Sequence, residues 1–507
     1  MNSVMYESII QGSIGSDQLP INSHMFSIDE SLEYLILEFE ASRNAWFGLL
    51  VWDPNGVLRI QYLQGRSPNT LVLHAKPHLT SYLTVAGEIV QGEWKVEVMG
   101  AAPVVTKLGS ITYQLHIRGG RGELDQELKY LPIDGESWTQ IENHHFTLER
   151  YSWDKPVRQT AGWYKGDFHT HTILSDGKMT PKENLTQAER QGLDFFVATD
   201  HHVLSTGWEA GEILVIPGVE ITSPKGHFNA LGPREWIDWR FTEPDGGMIT
   251  EAGMNRVLQE TKRKGGLRSI NHPQLHPWHW AFQETKLSEI DVLEIWNDPT
   301  FPDNRKATEE ALILWNTLWN DGYQIWGIGG SDSHMRPDES YGEDGIPSLI
   351  GDPATYVYVE CLSATAILHS VSKGRVYVSR KPVLDMEIRI GSERYSVGED
   401  LTDLFQNTEE SNDPVIFSIT YSQSENDYIL YWIENGERKH EILLREEGSI
   451  EIPLRWDGLD YCWGRVEIRS QEGELQAFSN PVYCGKKDQT LQTWNDLLEK
   501  SGCERFE

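Results

Sequence analysis

"TPKENLTQAERQGLDFFVATDHH" (residues 180–202) decides how the middle of this chain is read. Thr180 stands three residues before Glu183, with Pro181 between them at the first helical position, which is a capping box and a preferred helix start. Gly192 is placed to take the left-handed position that closes a helix. "DFFVA" (194–198) follows at once, an apolar run of buried-strand length. A helix handing directly to a buried strand, with His201 and His202 just past the strand, predicts one unit of an alternating α/β fold.

Outward from there the alternation continues. "EILVI" (212–216), "LRSI" (267–270), "VLEIW" (292–296) and "IWGIG" (325–329) read as buried strands. "EAGMNRVLQETKRKGG" (251–266) and "KATEEALILWNTLWNDG" (306–322) read as helices ending in basic residues or glycine. "SATAILHSVSKGRVYVS" (363–379) adds one more helix and strand. This pattern predicts a parallel α/β sheet or barrel over residues 159–382.

Both flanks have a different texture. "ITYQLHI" (111–117) puts Ile111, Tyr113, Leu115 and Ile117 on one face, and "WKVEV" (94–98) alternates likewise. Residues 1–158 are therefore expected to form a β-rich, sandwich-like domain. "VIFSITYS" (415–422), "YILYWIENG" (428–436) and "GRVEIRS" (464–470) predict a second one over 383–486. "TLQTWNDLLEKSG" (490–502) predicts a helix in a C-terminal tail, 487–507.

At 507 residues the chain is too long for one ordinary core. A net charge of −33 repels phosphate backbones, so nonspecific nucleic-acid binding is not expected. The start of the chain has no basic stretch before an apolar core, and no apolar run approaches a membrane span. The four cysteines show no CxxC spacing. A cytoplasmic enzyme with reduced thiols, no membrane contact and a small-molecule, anionic substrate is the expectation.

Residues that bind metals gather at the ends of the central strands. His169 and His171 lie in "DFHTHTILSDG" with Asp176; His201 lies in "ATDHH", Glu220 in "GVEIT" and His227 in "GHFNALG". His272 lies in "INHP", and Asp332 and His334 lie in "GSDSH". Neutral imidazole suits transition metals, and a carboxylate can bridge two of them. Asn297, Arg336 and His279 are candidates for contacting substrate, and Asp167 and Asp200 for orienting ligands or capping strand ends. "GIGGSD" (327–332) lacks the third glycine of a dinucleotide loop, and no G-x-S-x-G elbow is present.

Together these six motifs resemble the PHP (polymerase and histidinol phosphatase) superfamily, and "GHFNALG" after a β-rich N-terminal region resembles its carbaryl-hydrolase-like CehA/McbA branch. The resemblance covers roughly residues 160–380. It implies a distorted (β/α)7 barrel flanked by the two β-rich domains, and two or three divalent ions (Zn, Mn or Fe). His169, His171, Glu220 and Asp332 would hold the first ion. Glu220 would bridge to a second, completed by His227 and His272. Asp176, His201 and His334 would hold a third. His169, Glu220 and Asp332 would act in catalysis through a metal-activated water. The implied activity is a metal-dependent hydrolase, foremost a phosphoesterase. Carbamate or carboxylic-ester hydrolysis at the same centre, and a non-catalytic binding protein on a degenerate core, are the alternatives.

Overall fold

The computed structural model describes residues 4–503 apart from 16–20, 101–106, 108, 143–144, 344, 408–413, 423–427 and 457–458. The central strands are β1 (Gly162–Asp167), β2 (Phe195–Ala198), β3 (Leu214–Ser223), β4 (Gly226–Leu231), β5 (Leu267–Ile270), β6 (Val292–Asn297), β7 (Trp326–Gly330), β8 (Ala354–Val359) and β9 (Val376–Ser379). They lie in the order β7-β6-β5-β4-β3-β2-β1-β8-β9 within one continuous sheet. The pairs β1–β2, β2–β3, β5–β6 and β6–β7 are parallel. Helices α1 (Pro181–Arg190) and α3 (Asn304–Asn320) make crossovers between the parallel pairs β1–β2 and β6–β7, while α2 (Glu251–Arg263) and α4 (Ala364–Val371) connect the antiparallel neighbours β4–β5 and β8–β9.

The local signals act as expected. Thr180 Oγ1 accepts from Glu183 N at 3.1 Å, the Glu183 carboxylate accepts from Thr180 N at 2.8 Å, and Gly192 has φ +66°. Three strands depart from the parallel expectation: β8 is antiparallel to β1, β9 is antiparallel to β8, and β4 lies inside the parallel run. β4 is antiparallel to both β3 and β5. Ser223 pairs with Gly226, so only Pro224 and Lys225 connect β3 to β4. Two residues can turn a hairpin but cannot cross over to a parallel neighbour.

The sheet curls until its two central ends meet at one rim. Beyond β1 and β7, Thr170 forms a parallel bridge with Ser333. Asp332 N donates to His169 O at 2.9 Å and His171 N to Ser333 O at 3.2 Å. β1 and β7 share no ladder of their own among the described residues.

The N-terminal region is a pair of four-stranded antiparallel sheets enclosing a core that includes Leu49, Val51, Trp94, Val96, Leu115 and Ile117. "GLLV" (48–51) is apolar throughout because both its faces are buried. Leu49 and Val51 turn into the sandwich, while Leu50 belongs to the core of the α/β region, as period-two alternation requires. On the far side, β9 pairs with strand Leu475–Ser479, so hydrogen bonding runs without a break into the C-terminal strands. A separate four-stranded sheet, including Val383–Ile390 and Val415–Ser422, shares a second core with them. The C-terminal helix Trp494–Ser501, capped by Thr493 and Asp496, buries Trp494 and Leu497 in the α/β core. Among the described residues, no helix is long and apolar enough to cross a membrane.

Candidate metal centre

Parallel strands bring their C-terminal ends to one rim, and an antiparallel strand brings its beginning there. This is why His227, at the start of β4, meets Glu220 of β3, His201 past β2 and His272 past β5. The His-x-His spacing turns both imidazoles to one side of an extended chain. Thr170, between them, donates its hydroxyl to Val197 O at 2.9 Å. Asp332 and His272 hold left-handed backbone, with φ of +48° and +29°. Such conformations persist where the surrounding structure imposes them.

All nine candidate ligands converge, in three groups. His169 Nε2 lies 3.3 Å from both Glu220 Oε2 and Asp332 Oδ1. His171 Nε2 lies 3.3 Å from Glu220 Oε2 and 3.1 Å from Asp332 Oδ1. Ligands about 2.0–2.1 Å from a tetrahedral ion are about 3.3 Å apart. The other Glu220 oxygen, Oε1, lies 3.1 Å from His227 Nδ1 and 3.8 Å from His272 Nε2. Asp176 Oδ1 lies 3.2 Å from His334 Nε2 and 3.5 Å from His201 Nε2. His171 belongs to this third group as well as to the first, which is a sharing the sequence did not indicate.

The donor set fits divalent cations. His169 Nε2 and His171 Nε2 are buried and have no hydrogen-bond partner, a costly state for polar atoms unless something else satisfies them, while Glu220 Oε2 lies 2.8 Å from His201 Nδ1. Burial, followed by the fields of His334 and His201, pushes His171 down to about 3, which keeps its imidazole neutral. Burial opposes ionisation of Glu220 and Asp332, but the surrounding histidines overcome it and hold both well below the usual carboxylate range. Burial opposes protonation of His169, His201 and His334 as well, but the neighbouring carboxylates overcome it and raise all three, so binding a cation there would release protons.

Several supporting residues were not singled out in the sequence. Glu294, from the middle of β6, accepts from His272 N at 2.9 Å and lies 3.0 Å from His169 Nδ1, which turns His169 Nε2 toward the ion position. Its signal was present: an acid within "VLEIW" must find partners once that strand is buried. Asn271 donates to Glu220 Oε1 at 2.9 Å, and Thr222 Oγ1 lies 2.5 Å from His201 Nδ1. Trp46, from the N-terminal region, lies with its ring 5.3 Å from that of His201.

The remaining candidates divide. Asn297 lines the cavity above the centre and donates to Asp332 Oδ2 at 3.3 Å. Arg336 is half exposed, pairs with Glu183 at 3.2 Å and does not line that cavity. The cap of α1 thus holds the cation that the sequence offered to substrate. His279 stacks on His276, with ring centroids 5.5 Å apart, and also lies off the cavity wall, where Trp278 stands instead. Asp167 accepts from the backbone N–H groups of His169, Ser331 and Gly351. Asp200 holds Thr172 and Ser175, fixing the loop that carries Asp176 rather than a histidine.

No family model and no curated protein matches this chain. Among solved structures it is similar to a two-domain protein of Bacteroides vulgatus containing a predicted PHP-like metal-dependent phosphoesterase. Identity is 15% and the TM-score 0.33, covering 65% of this chain and 98% of that one. It is also similar to an amidohydrolase from Chromobacterium violaceum with bound sulfate, at 13% identity and a TM-score of 0.23, covering 36% of this chain and 92% of that one.

Proposed function

We propose that the chain is a PHP-type metal-dependent hydrolase acting on phosphoesters, its curled sheet being a distorted seven-stranded barrel. The observation that carries this reading is Glu220. Its two oxygens face two different ligand groups: Oε2 lies 3.3 Å from both His169 Nε2 and His171 Nε2, and Oε1 lies 3.1 Å from His227 Nδ1. A carboxylate so placed suits two adjacent cations, with a third beside Asp176. A degenerate core would lack ligands, whereas every expected position here carries one.

Two or three bound Zn, Mn or Fe ions would supply Lewis acidity and lower the pKa of a water to roughly 7. The protein residues then do the rest. Glu294 and the Asp332 carbonyl orient His169 and His334 through their Nδ1 atoms. Asn297 and Asn271 hold Asp332 and Glu220 in place. The largely apolar walls of the cavity lower the local dielectric around the centre, which strengthens each charge interaction there. A second reading, carbamate or carboxylic-ester hydrolysis at the same centre, is favoured by one observation: among the described residues, no lysine or arginine lines the cavity.

The test is to strip the protein with chelator, reload it separately with Mn, Zn and Fe, and measure metal content alongside turnover. The substrates are phosphomonoesters, phosphodiesters, aryl carbamates and carboxylic esters. Phosphoester hydrolysis lost on stripping and restored on reloading is expected. Carbamate turnover without phosphoester turnover selects the second reading, and no turnover with any metal overturns both.

A further inference from the structure

We propose that the N-terminal sandwich is part of the active site, with Trp46 and Met99 forming a wall that holds a flat, apolar group of the substrate beside the metal centre. This rests on the hydrolase reading and names the substrate portion that the site selects.

A cavity of about 680 Å³ opens onto the centre, with His201, Glu220, Asp332 and His334 in its floor. Its remaining walls are largely apolar and come from two parts of the chain. Trp239, Phe241, Trp278 and Phe301 belong to the α/β region, while Trp46 and Met99 come from the sandwich. With no lysine or arginine among the described residues of those walls, a polyanionic substrate would find no counter-charge there away from the metal ligands. An apolar substituent would find aromatic faces on several sides.

Trp46 is held in place at a cost. Its φ is +54°, in the left-handed region that bulky residues avoid. Side chains pin its segment: Asn44 Oδ1 accepts from Trp46 N at 3.0 Å, and Gln64 Oε1 accepts from Ala45 N at 3.1 Å. The indole is only partly buried: one side packs against the α/β core, and it lines the cavity beside His201. The same sandwich also shapes the centre itself. Arg66 donates from Nε to Asp176 O at 3.0 Å and from its backbone N–H to Ser175 O at 2.7 Å. Ser67 Oγ donates to Leu174 O at 2.7 Å. The loop presenting Asp176 is therefore held by the region that carries Trp46.

The test is calorimetric binding of benzylphosphonate and methylphosphonate to the full-length, metal-loaded protein, which needs no turnover. Both ligands offer the same anion, so their ratio reads the wall. The benzyl ligand is expected to bind at least about tenfold more tightly, from burial of its ring. Trp46→Gly, which suits the positive φ, should bring the two ligands within about threefold by weakening benzylphosphonate alone. Trp46→Phe should keep most of the preference, and Met99→Ala should lose part of it. Equal affinities in the parent, no binding of either ligand, or a preference that survives in both Trp46→Gly and Met99→Ala overturns the proposal. A parent protein that keeps the preference yet hydrolyses no ester breaks the hydrolase reading and leaves the wall standing.

Discussion

The two β-rich flanks look alike in sequence and serve the centre differently. The N-terminal sandwich lays the outer face of one sheet on the α/β region and reaches the rim with Trp46, Arg66 and Ser67. The C-terminal strands instead extend the central sheet from β9, and among the described residues none beyond Tyr341 lines the cavity. Extending a sheet edge stabilises the far side of the body. Packing a second sheet across the rim places side chains where a substrate must sit. Damage to one flank should therefore appear in binding, and damage to the other in stability.

The largest effect should come from the centre that both flanks serve. Glu220→Gln removes the charge between two ligand groups and should lower turnover by on the order of 10³-fold or more. Metal content measured on the same sample should fall with it. Phe478→Ala tests the C-terminal side. Phe478 is fully buried and packs on Trp315 with ring centroids 5.5 Å apart. Its truncation should cost about 3–5 kcal/mol in urea unfolding, with KM and metal content of the folded fraction unchanged. A change in KM there would break the comparison.

Asp167 offers a pH-dependent contrast. Burial raises its carboxyl to about 6, although the three backbone N–H groups it accepts oppose the shift. In the unfolded chain it titrates near 3.9. Between those values the folded state holds the extra proton, so this group's contribution is present at low pH and lost as pH rises through 6. Asp167→Asn cannot titrate. Relative to this variant, the parent should gain up to about 3 kcal/mol as pH falls from 7 to 4, read from urea midpoints.

Glu294→Gln, which weakens the hold on His169 Nδ1, should reduce metal affinity or activity by about 10–100-fold, measured by competitive chelation. The smallest effect should come from Arg66→Ala on the sandwich. It should weaken occupancy of the Asp176 group by a few-fold, on the order of one lost hydrogen bond, and leave the Glu220 groups loaded. Metal stoichiometry by mass spectrometry separates the two, and uniform loss across all groups would argue against a specific role for that flank.

The readable parts of the fold were those with local causes. The α1 capping box, the apolar run of β2 and the alternation of Ile111 to Ile117 each declare themselves within a dozen residues. The order of ligand-type residues at strand ends has the same origin, because periodicity shows where each strand stops. β4 was legible in principle: "SPKG" (223–226) is short enough to force a hairpin, and its direction explains how His227 reaches the rim. Glu294 was legible only as an acid in an apolar strand, with no hint of which histidine it would face.

The sequence by itself determined the alternating α/β middle, its β-rich surroundings and a set of histidines and carboxylates suited to divalent ions. These follow from residue chemistry and short-range periodicity. Tertiary structure alone decided which oxygen of Glu220 faces which ligand group, that Arg336 pairs with Glu183, and that hydrogen bonding continues past β9. It also decided that Trp46 stands beside His201, 155 positions further along the chain. Those outcomes depend on how distant segments pack. Backbone periodicity sets where a side chain points from its own strand, but carries no information about which remote surface will meet it.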